Sequence, residues 1–400
     1  MPSRKRSIAS TILLAVKAVK QNYTPNDELL GLLDQFRQMV NDSIRIGIAE
    51  NVSSLKSLSL KTYKQLEQYD AMSYYKLCAI SKAAGILKNY RKARSKGKPV
   101  KSPYARRPQL ATCYGFKISD GTLQLPIKPK SKIRIPLNHH TLQTLSESGL
   151  AARSVTLTAN TITVSYSKDV QTLEPSGLMG IDTNLDNVTV ADSNGSIARH
   201  NLAEATEIKA MYREVKSHLN RNDSRVREQV YAKYGVRQRN RVRQLLHRTS
   251  KQIIMQAKIS RSGIVMERLT GIRKLYRKGN GQGRDYRARM NGWSFAELQR
   301  QVEYKARWEG LPVVYVKPHG TSVKCSICGS RMKPEESRTL KCRSCGFTVD
   351  RDVNAARNIL AAGMRALRFG AVAPAGEAMV AVQRRPVDAG ELTDRHPPTS

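Results

Sequence analysis

Residues 178–192 read LMGIDTNLDNVTVAD, and the class of the fold follows from this stretch. Residues 178–185 and 187–192 are rich in apolar and β-branched side chains, which predicts two buried strands. Asn194 and Gly195 follow and predict a tight turn into a third strand. The sequence therefore predicts a sheet that begins as an antiparallel meander, with the carboxylate of Asp182 inside its first apolar strand.

The carboxyl-terminal half of the chain, from residue 202 onward, alternates between helical and strand patterns. Residues 202–260 are basic and mainly helical, and a short apolar strand then ends in Glu267. A helix over 294–309, a strand over 311–316 and a final helix over 353–367 complete an α/β pattern. We therefore predict a multidomain α/β protein.

The amino-terminal half has a different character. Residues 24–97 predict a helical lobe, with Thr24 as the N-cap and Pro25 in the first helical position. Alternating apolar residues over 155–166 predict a β hairpin in a small β-rich domain. Between the two, nine of the twenty residues from 88 to 107 are basic, and glycine and prolines interrupt them, which predicts a charged connector.

The helical lobe also mixes tyrosines with lysines. This combination suits phosphates and unstacked bases, because an aromatic ring offers a stacking face and an ammonium group offers charge. The alternative is that the tyrosines are half-buried in the core of a helix pair. The residues are Tyr63, Tyr69, Tyr74, Tyr75 and Tyr90, with Lys61, Lys64, Lys76 and Lys88.

The charge of the chain indicates a polyanionic partner. The 400 residues contain 69 Lys and Arg against 32 Asp and Glu, which gives a formal charge of +37. Nucleic acid is the first candidate and an anionic membrane the second. No apolar stretch is long enough for a spanning helix, which excludes an integral membrane protein. The amino terminus resembles a signal peptide, but Lys17 and Lys20 follow at once without a cleavage site, so we expect no secretion.

Four of the six cysteines have the spacing of a metal site. They form two C-x-x-C pairs separated by thirteen residues, and four thiolates fill a tetrahedral zinc ion completely, which predicts a structural zinc. A redox pair or chance spacing is the alternative. Cys78 and Cys113 stand apart and are expected to be ordinary thiols in a reducing cytoplasm. The predicted zinc ligands are Cys325, Cys328, Cys342 and Cys345.

Three acids lie where an unpaired charge is costly. Asp182 is inside a strand, Glu267 ends a later strand, and Asp352 opens the final helix. If these elements are neighbours, the three carboxylates converge and bind cations, although a salt bridge is an equally good explanation for each acid alone. Together they have the layout of an RNase H-like nuclease, in which two Mg²⁺ ions serve phosphodiester hydrolysis.

The motifs in combination resemble the TnpB family of transposon-encoded, RNA-guided DNA nucleases, which are related to the small type V CRISPR effectors. On this resemblance Asp182, Glu267 and Asp352 match the three RuvC carboxylates that hold magnesium. Asp350 is the less favoured third acid, because the family's acid lies two residues before the asparagine found here at Asn354. The matching stretches are GIDTNLDNVTVAD, GIVMERLTGIRK, WSFAELQRQVEYKARWEG, PHGTSVKCSICG and LKCRSCGFTVDRDVNAARNI.

The resemblance also implies a division into domains, and the proline-containing end of the chain predicts a disordered tail. The expected order is the first strand of a wedge domain (1–23), a helical recognition lobe (24–97), the wedge β domain (98–172), a RuvC nuclease domain (177–320), a zinc ribbon (321–349), the end of the RuvC domain (350–372) and the tail (373–400).

The implied function is that of a magnesium-dependent endonuclease that cuts double-stranded DNA beside a short flanking motif. A guide RNA from the end of the parent element would supply specificity, and the particle would be a cytoplasmic, nucleoid-associated monomer with its RNA. The basic stretch 273–289 would be a mobile loop, either a strand guide or simply solvated. Three alternatives stay open at this point: a CRISPR-associated effector, a nuclease-inactive zinc-ribbon regulator, and a strand-transferring transposase.

Overall fold

The computed structural model describes residues 12–128, 130–220, 222–277 and 279–368. The predicted tail, residues 373–400, lies outside these ranges. The chain divides into two compact units, one from Ile12 to Gln171 and one from Thr172 onward. Across the described residues, no helix combines the length and the hydropathy that crossing a bilayer requires.

The amino-terminal unit begins with strand β1 (Ile12–Asn22) and continues with helices α1 (Asp27–Ala49), α2 (Leu55–Thr62) and α3 (Ser73–Arg94). A 3₁₀ helix, Lys64–Gln68, separates the last two. Helices α1 and α3 each bury an apolar face. These faces include Leu33, Phe36, Val40, Ile80, Ala83 and Leu87.

Two details of this helical region differ from the prediction. The first helix is capped by Asn26, whose side chain accepts the Leu29 amide at 3.1 Å, so Thr24 and Pro25 precede the helix. Helix α3 also continues to Arg94, well into the predicted connector. The reason is that its apolar face extends to Leu87 and that the first helix-breaking residue of the predicted connector is Gly97.

The remaining strands of this unit form two antiparallel sheets. Strands β2 (Gln109–Thr112), β6 (Ala151–Thr158) and β7 (Thr161–Gln171) join β1 in the order β1-β7-β6-β2. Strands β3 (Lys117–Ser119), β4 (Thr122–Lys128) and β5 (Ser131–Pro136) form a three-stranded sheet, and helix α4 (His139–Leu145) follows it. The predicted hairpin is confirmed, because Val155 pairs with Val164 and Leu157 pairs with Ile162.

The second unit is built on a five-stranded sheet. Its strands are β8 (Gly177–Thr183), β9 (Asn187–Asp192), β10 (Ile197–Asn201), β11 (Ser262–Glu267) and β12 (Val313–Val316). The order is β10-β9-β8-β11-β12, with β8 to β10 antiparallel and with β11 parallel to both β8 and β12. The predicted antiparallel start and the mixed α/β class are therefore confirmed.

Helices cover both faces of this sheet. Helices α5 (Ala203–Ser217), α6 (Tyr231–Ile259) and α8 (Phe295–Trp308) share one apolar core with it, and a π-helical turn, Val226–Val230, precedes α6. The predicted mobile loop at 273–289 overlaps a 3₁₀ helix, Ile272–Tyr276, and most of α7 (Arg284–Asn291). Its basic, glycine-containing composition therefore did not indicate the helical structure that it has.

Helix α9 (Arg351–Arg368) packs on the other face through Ile359 and Leu360. The helix approaches the sheet closely because two glycines lie at the contact. A Cβ at Gly180 would be 2.4 Å from the carbonyl oxygen of Ala356, and a Cβ at Gly363 would be 2.4 Å from Val265.

A small three-stranded sheet lies between β12 and α9 in the chain. Strands β13 (Met332–Pro334), β14 (Thr339–Cys342) and β15 (Thr348–Asp350) are antiparallel in this order. Strand β15 runs directly into α9, so the small sheet determines where this helix begins.

Candidate active site

Two of the predicted acids lie on neighbouring parallel strands. Ile181 of β8 pairs with Met266 of β11, so the next residues, Asp182 and Glu267, lie side by side where the two strands end. The side chain of Asn184 donates to Asp182 Oδ2 at 2.7 Å. Asp182 is therefore buried and held in one orientation, with an exposed fraction of 8%.

The third acid reaches the same place from helix α9. Asp352 is only 2% exposed, and Asn187 at the start of β9 donates to its Oδ2 at 3.2 Å. Asp350 has a different role. Its Oδ1 accepts the backbone amides of Asp352 and Val353 at 2.9 and 3.1 Å, which is the geometry of a helix N-cap, and it forms an ion pair with Arg199 at 2.7 Å.

The three carboxylates influence one another electrostatically. Burial raises the pKa of Asp182 to about 7, and the negative charges of Glu267 and Asp352 add to the effect, whereas Asn184 and Arg351 oppose it. Burial also raises the pKa of Glu267, against a hydrogen bond at 2.6 Å from Thr321 Oγ1 to its Oε1. The structure thus brings all three sequence-predicted acids into one polar site at the end of the sheet.

Arg338, from the connection between β13 and β14, hydrogen-bonds both carboxylate oxygens of Asp352. Its own side chain is 54% exposed, so it reaches from solvent to a buried acid. Among the described residues, neither Asp182 nor Glu267 forms an ion pair. The salt-bridge alternative therefore applies to Asp352 alone.

Sequence reasoning missed the groups that hold these acids. Asn184 lies two residues after Asp182, whereas Asn187, Thr321 and Arg338 are each distant in sequence from the acid that they contact. Arg338 lies four residues before Cys342, and this proximity to a predicted zinc knuckle is the one signal that could have drawn attention to it.

The four predicted cysteines form a cluster at one end of the small sheet. Their sulfur atoms all lie within 4.8 Å of one another, and within the described part of the chain they are the one set of three or more His, Cys, Asp or Glu residues with this closeness. The sulfurs of Cys325 and Cys345 are 3.7 Å apart, and those of Cys328 and Cys342 are 3.4 Å apart. Four thiolates at such separations fit one tetrahedral zinc ion.

Backbone geometry supports the cluster. Gly329 and Gly346 have φ of 78° and 72°, in the left-handed region, and the amide of each donates to the backbone carbonyl oxygen of the first cysteine of its knuckle at 2.9 Å. Backbone and side-chain hydrogen bonds from Ser330 lower the pKa of Cys328 to about 6. Each knuckle therefore points its sulfurs at a common centre, and a lowered pKa favours the metal-binding thiolate.

The chain is similar to a known family model and to several known proteins. Residues 295–359 match the family model described as the Cas12f1-like TNB domain, and this segment includes α8 and the four-cysteine cluster. The chain is 32% identical over 214 residues to the TnpB-like protein MJ0751 of Methanocaldococcus jannaschii, a match that covers 51% of this chain and 76% of that protein.

A second relative is the putative RNA-guided DNA endonuclease InsQ of Escherichia coli, with 39% identity over 87 residues and 21% coverage of each chain. The fold is similar to that of a chain in the cryo-EM structure of the Cas12f1–sgRNA–target DNA complex. The TM-score is 0.61 at 16% identity, and the match covers 83% of this chain and 82% of that one.

Proposed function

The chain belongs to the TnpB family, and we propose on that premise that it is an RNA-guided, magnesium-dependent endonuclease that cuts double-stranded DNA beside a short flanking motif. One observation carries the catalytic part of this proposal. Asp182, Glu267 and Asp352 come from three separate elements, are largely buried, and meet in one site where each of the other two raises the pKa of Asp182. Buried acids that come together with few cationic partners favour a cation-binding site.

The sheet supports assignment of a RuvC nuclease domain to 177–320 and 350–372. Strands β8 to β10 form the antiparallel meander, β11 and β12 extend it in parallel, and α9 packs across its face. The zinc ribbon, 321–349, interrupts this domain between β12 and α9. The fold shared with a Cas12f1 chain supports the mixed α/β class.

The amino-terminal unit fits a wedge domain with an inserted recognition lobe. Strand β1, within 1–23, pairs with β7 along its whole length, although the helices of 24–97 lie between them in sequence. The remaining strands belong to 98–172. The helical lobe is therefore an insertion into one β domain, which supports the proposed division.

The three acids suit magnesium because carboxylate oxygens are the hard ligands that this ion prefers. Two Mg²⁺ ions, when bound, would supply an activated water and stabilise the charge on the leaving oxygen. The chain's own residues set the geometry: Asn184 orients Asp182, Thr321 orients Glu267, and Asn187 orients Asp352. Because Arg338 bonds both oxygens of Asp352, it must turn away before that acid can bind a cation.

The ribbon is proposed to hold one structural zinc through Cys325, Cys328, Cys342 and Cys345, since a fully thiolate site leaves no position for a substrate. A guide RNA and a target DNA are the proposed partners. The charge of +37 supports this, as do the printed name of InsQ and the nucleic acids in the Cas12f1 complex.

The catalytic proposal is tested with matched variants. Asp182→Ala, Glu267→Ala and Asp352→Ala should each retain nucleic-acid binding and lose cleavage of a target plasmid by at least a hundredfold. Glu207→Gln is the control, because this exposed acid lies on α5 and has no part in the site. Cleavage that survives Asp182→Ala would show that this acid is not catalytic, whereas an unmodified protein that binds nucleic acid and cuts nothing would leave a nuclease-inactive regulator.

A further inference from the structure

A cavity of about 270 Å³ opens between the carboxyl-terminal parts of α1 and α3. Ile48 and Leu87 give it an apolar side, and Asn51, Tyr90, Arg91 and Arg94 give it a polar one. This volume lies just below the range of about 300–1,000 Å³ that ligand pockets have, so the open cavity has room for a single small group such as one base rather than for a larger ligand. It lies in the basic stretch that the sequence singled out at 88–107.

Arg91 is held in a fixed position by neutral partners. Its guanidinium donates to Asn51 Oδ1 at 2.6 Å and to Ser53 Oγ at 3.0 Å. Glu50, the nearby acid, is paired with Lys61 at 3.2 Å. Among the described residues Arg91 forms no ion pair, so its positive charge is oriented but not neutralised. An oriented, uncompensated guanidinium suits a phosphate.

Beside this charge lie two planar groups. The guanidinium carbon of Arg94 is 5.8 Å from the centroid of the Tyr90 ring, which places it over the ring face. Aromatic rings and guanidinium planes are the surfaces on which unstacked bases lie in complexes with single strands. An inorganic anion would contact Arg91 alone. The aromatic and apolar residues of the cavity therefore favour a ligand that carries a base as well as a phosphate.

We propose that this cavity binds one unstacked nucleotide of a single-stranded nucleic acid, with its base against Tyr90 and Arg94 and its phosphate on Arg91. The inference rests on the proposed function in one respect: it takes nucleic acid as the partner of the chain. It assigns a binding site in the helical lobe that needs neither the carboxylates nor the zinc.

The test measures binding of the full-length, zinc-loaded protein to fluorescein-labelled U20 and dT20 by fluorescence anisotropy, at one fixed ionic strength and without added magnesium. Tyr90→Leu should weaken binding at least about fivefold, because it removes a stacking face without changing the charge. Tyr90→Phe keeps the ring and should bind as the unmodified protein does. A loss confined to U20 assigns the nucleotide to RNA, and a loss confined to dT20 assigns it to DNA.

The charge contribution has a matched control one residue away. Arg91→Gln and Lys92→Gln remove the same charge from adjacent positions of α3, and Lys92 is exposed and does not line the cavity. General attraction to a polyanion predicts equal losses, whereas the proposed site predicts a loss for Arg91→Gln at least about threefold larger. Arg94→Gln gives a second charge variant that keeps the Arg91 contacts to Asn51 and Ser53.

Circular dichroism and the thermal midpoint check that each variant is folded. Equal affinities for Tyr90→Leu and Tyr90→Phe, or equal losses for Arg91→Gln and Lys92→Gln, would overturn the inference. Its failure is distinct from failure of the nuclease proposal, because the affinities are measured without magnesium and the cavity variants change none of the three carboxylates. A protein that cuts no DNA but loses affinity with Tyr90→Leu would support the cavity and contradict the nuclease.

Discussion

At the residue scale, the site depends on buried acids, and their burial lowers the stability of the folded chain. Asp182 has a neutral hydrogen-bond donor, Asn184, rather than a cation, and its pKa is raised to about 7. A carboxylate in such surroundings destabilises the fold unless a cation binds beside it. Catalytic sites commonly have this conflict between stability and function.

The raised pKa of Asp182 makes stability depend on pH. The folded chain binds this proton more tightly than the unfolded chain, whose pKa is near 3.8, so the cost is absent below about pH 4 and complete above about pH 7. Without magnesium, we expect Asp182→Asn to raise the free energy of unfolding at pH 8 by up to about 4 kcal/mol and to change it little at pH 4. Urea unfolding at both pH values measures this difference.

Glu207→Gln serves as the control for that experiment. Because Glu207 is exposed, this variant and the unmodified protein should differ by the same free energy of unfolding at pH 4 and at pH 8. An Asp182→Asn variant less stable than the unmodified protein at pH 8 would contradict the account, since it would mean that the ionised carboxylate stabilises the fold.

Arg338 and a divalent cation compete for the same two oxygens of Asp352. We therefore expect Arg338→Gln to increase the affinity of the site for Mn²⁺, used as a spectroscopic substitute for Mg²⁺, by roughly threefold or more, given the strength of charged hydrogen bonds at a half-exposed side chain. Electron paramagnetic resonance of free Mn²⁺ measures the change. Arg331→Gln, an exposed arginine of the same ribbon, should leave the affinity unchanged. Weaker Mn²⁺ binding by Arg338→Gln would refute the competition.

The sequence predicted the acids but not the residues around them. Asp182, Glu267 and Asp352 were recognisable because each charge lies in an apolar element. Asn187 and Arg338 could not be found in this way, because they meet Asp352 only after β9 and the ribbon have packed beside α9. Contacts between elements distant in sequence have no local signal.

At the element scale, the packing of α9 on β8 brings Asp352 towards Asp182. This packing requires the absence of a side chain at Gly180, where a Cβ would lie 2.4 Å from the carbonyl oxygen of Ala356 and 2.5 Å from the amide nitrogen of Leu360. Both of these atoms belong to the helix backbone, which cannot turn away as a side chain would. The glycine therefore determines the distance between the helix and the sheet.

We expect Gly180→Ala to destabilise the protein by about 1–3 kcal/mol and to reduce cleavage more than nucleic-acid binding, because α9 must move and Asp352 moves with it. Chemical unfolding and plasmid cleavage measure the two effects. Gly235→Ala is the control: a Cβ there meets only a flexible Arg239 side chain at 3.5 Å inside α6, so this variant should be stabilised by up to about 1 kcal/mol. A Gly180→Ala protein with unchanged stability and cleavage would contradict the proposed packing.

The elements with regular patterns were predicted well, and their boundaries less well. The hairpin over 155–166 was confirmed because a period of two specifies strand faces, and the meander from 178 was confirmed because short, continuous apolar runs are typical of fully buried strands. The predicted start of α1 was wrong, because Asn26 and Thr24 are both good N-cap residues and the local sequence does not distinguish between them. The basic residues after Lys88 suggested a connector, but the apolar face of α3 decided the outcome.

At the scale of the whole molecule, the proposed zinc ribbon joins two parts of the larger fold. It lies between β12 and α9, carries Arg338, and is followed directly by Asp350, which caps α9. A metal that orders the ribbon therefore also fixes the start of the helix that holds Asp352. Loss of the metal should affect both stability and chemistry.

We expect Cys325→Ser to lower the yield of folded protein more than it lowers the activity of the fraction that folds, because the ion holds the ribbon together. Zinc content by mass spectrometry, the thermal midpoint and the specific activity measure these effects. Cys113→Ser, an exposed cysteine of the other unit, should leave all three unchanged. Normal stability of Cys325→Ser with zinc absent would rule out the structural role.

The claim that an RNA directs this chain to its DNA target is tested most directly by exchanging the guide. The chain is expressed with its native downstream DNA, the RNA that survives nuclease treatment of the purified particle is sequenced, and the guide segment is replaced by one complementary to a second plasmid. With Mg²⁺, cleavage should move to the second plasmid and should vanish with Asp182→Ala. Heterogeneous RNA, or cleavage that ignores the guide, would contradict the account.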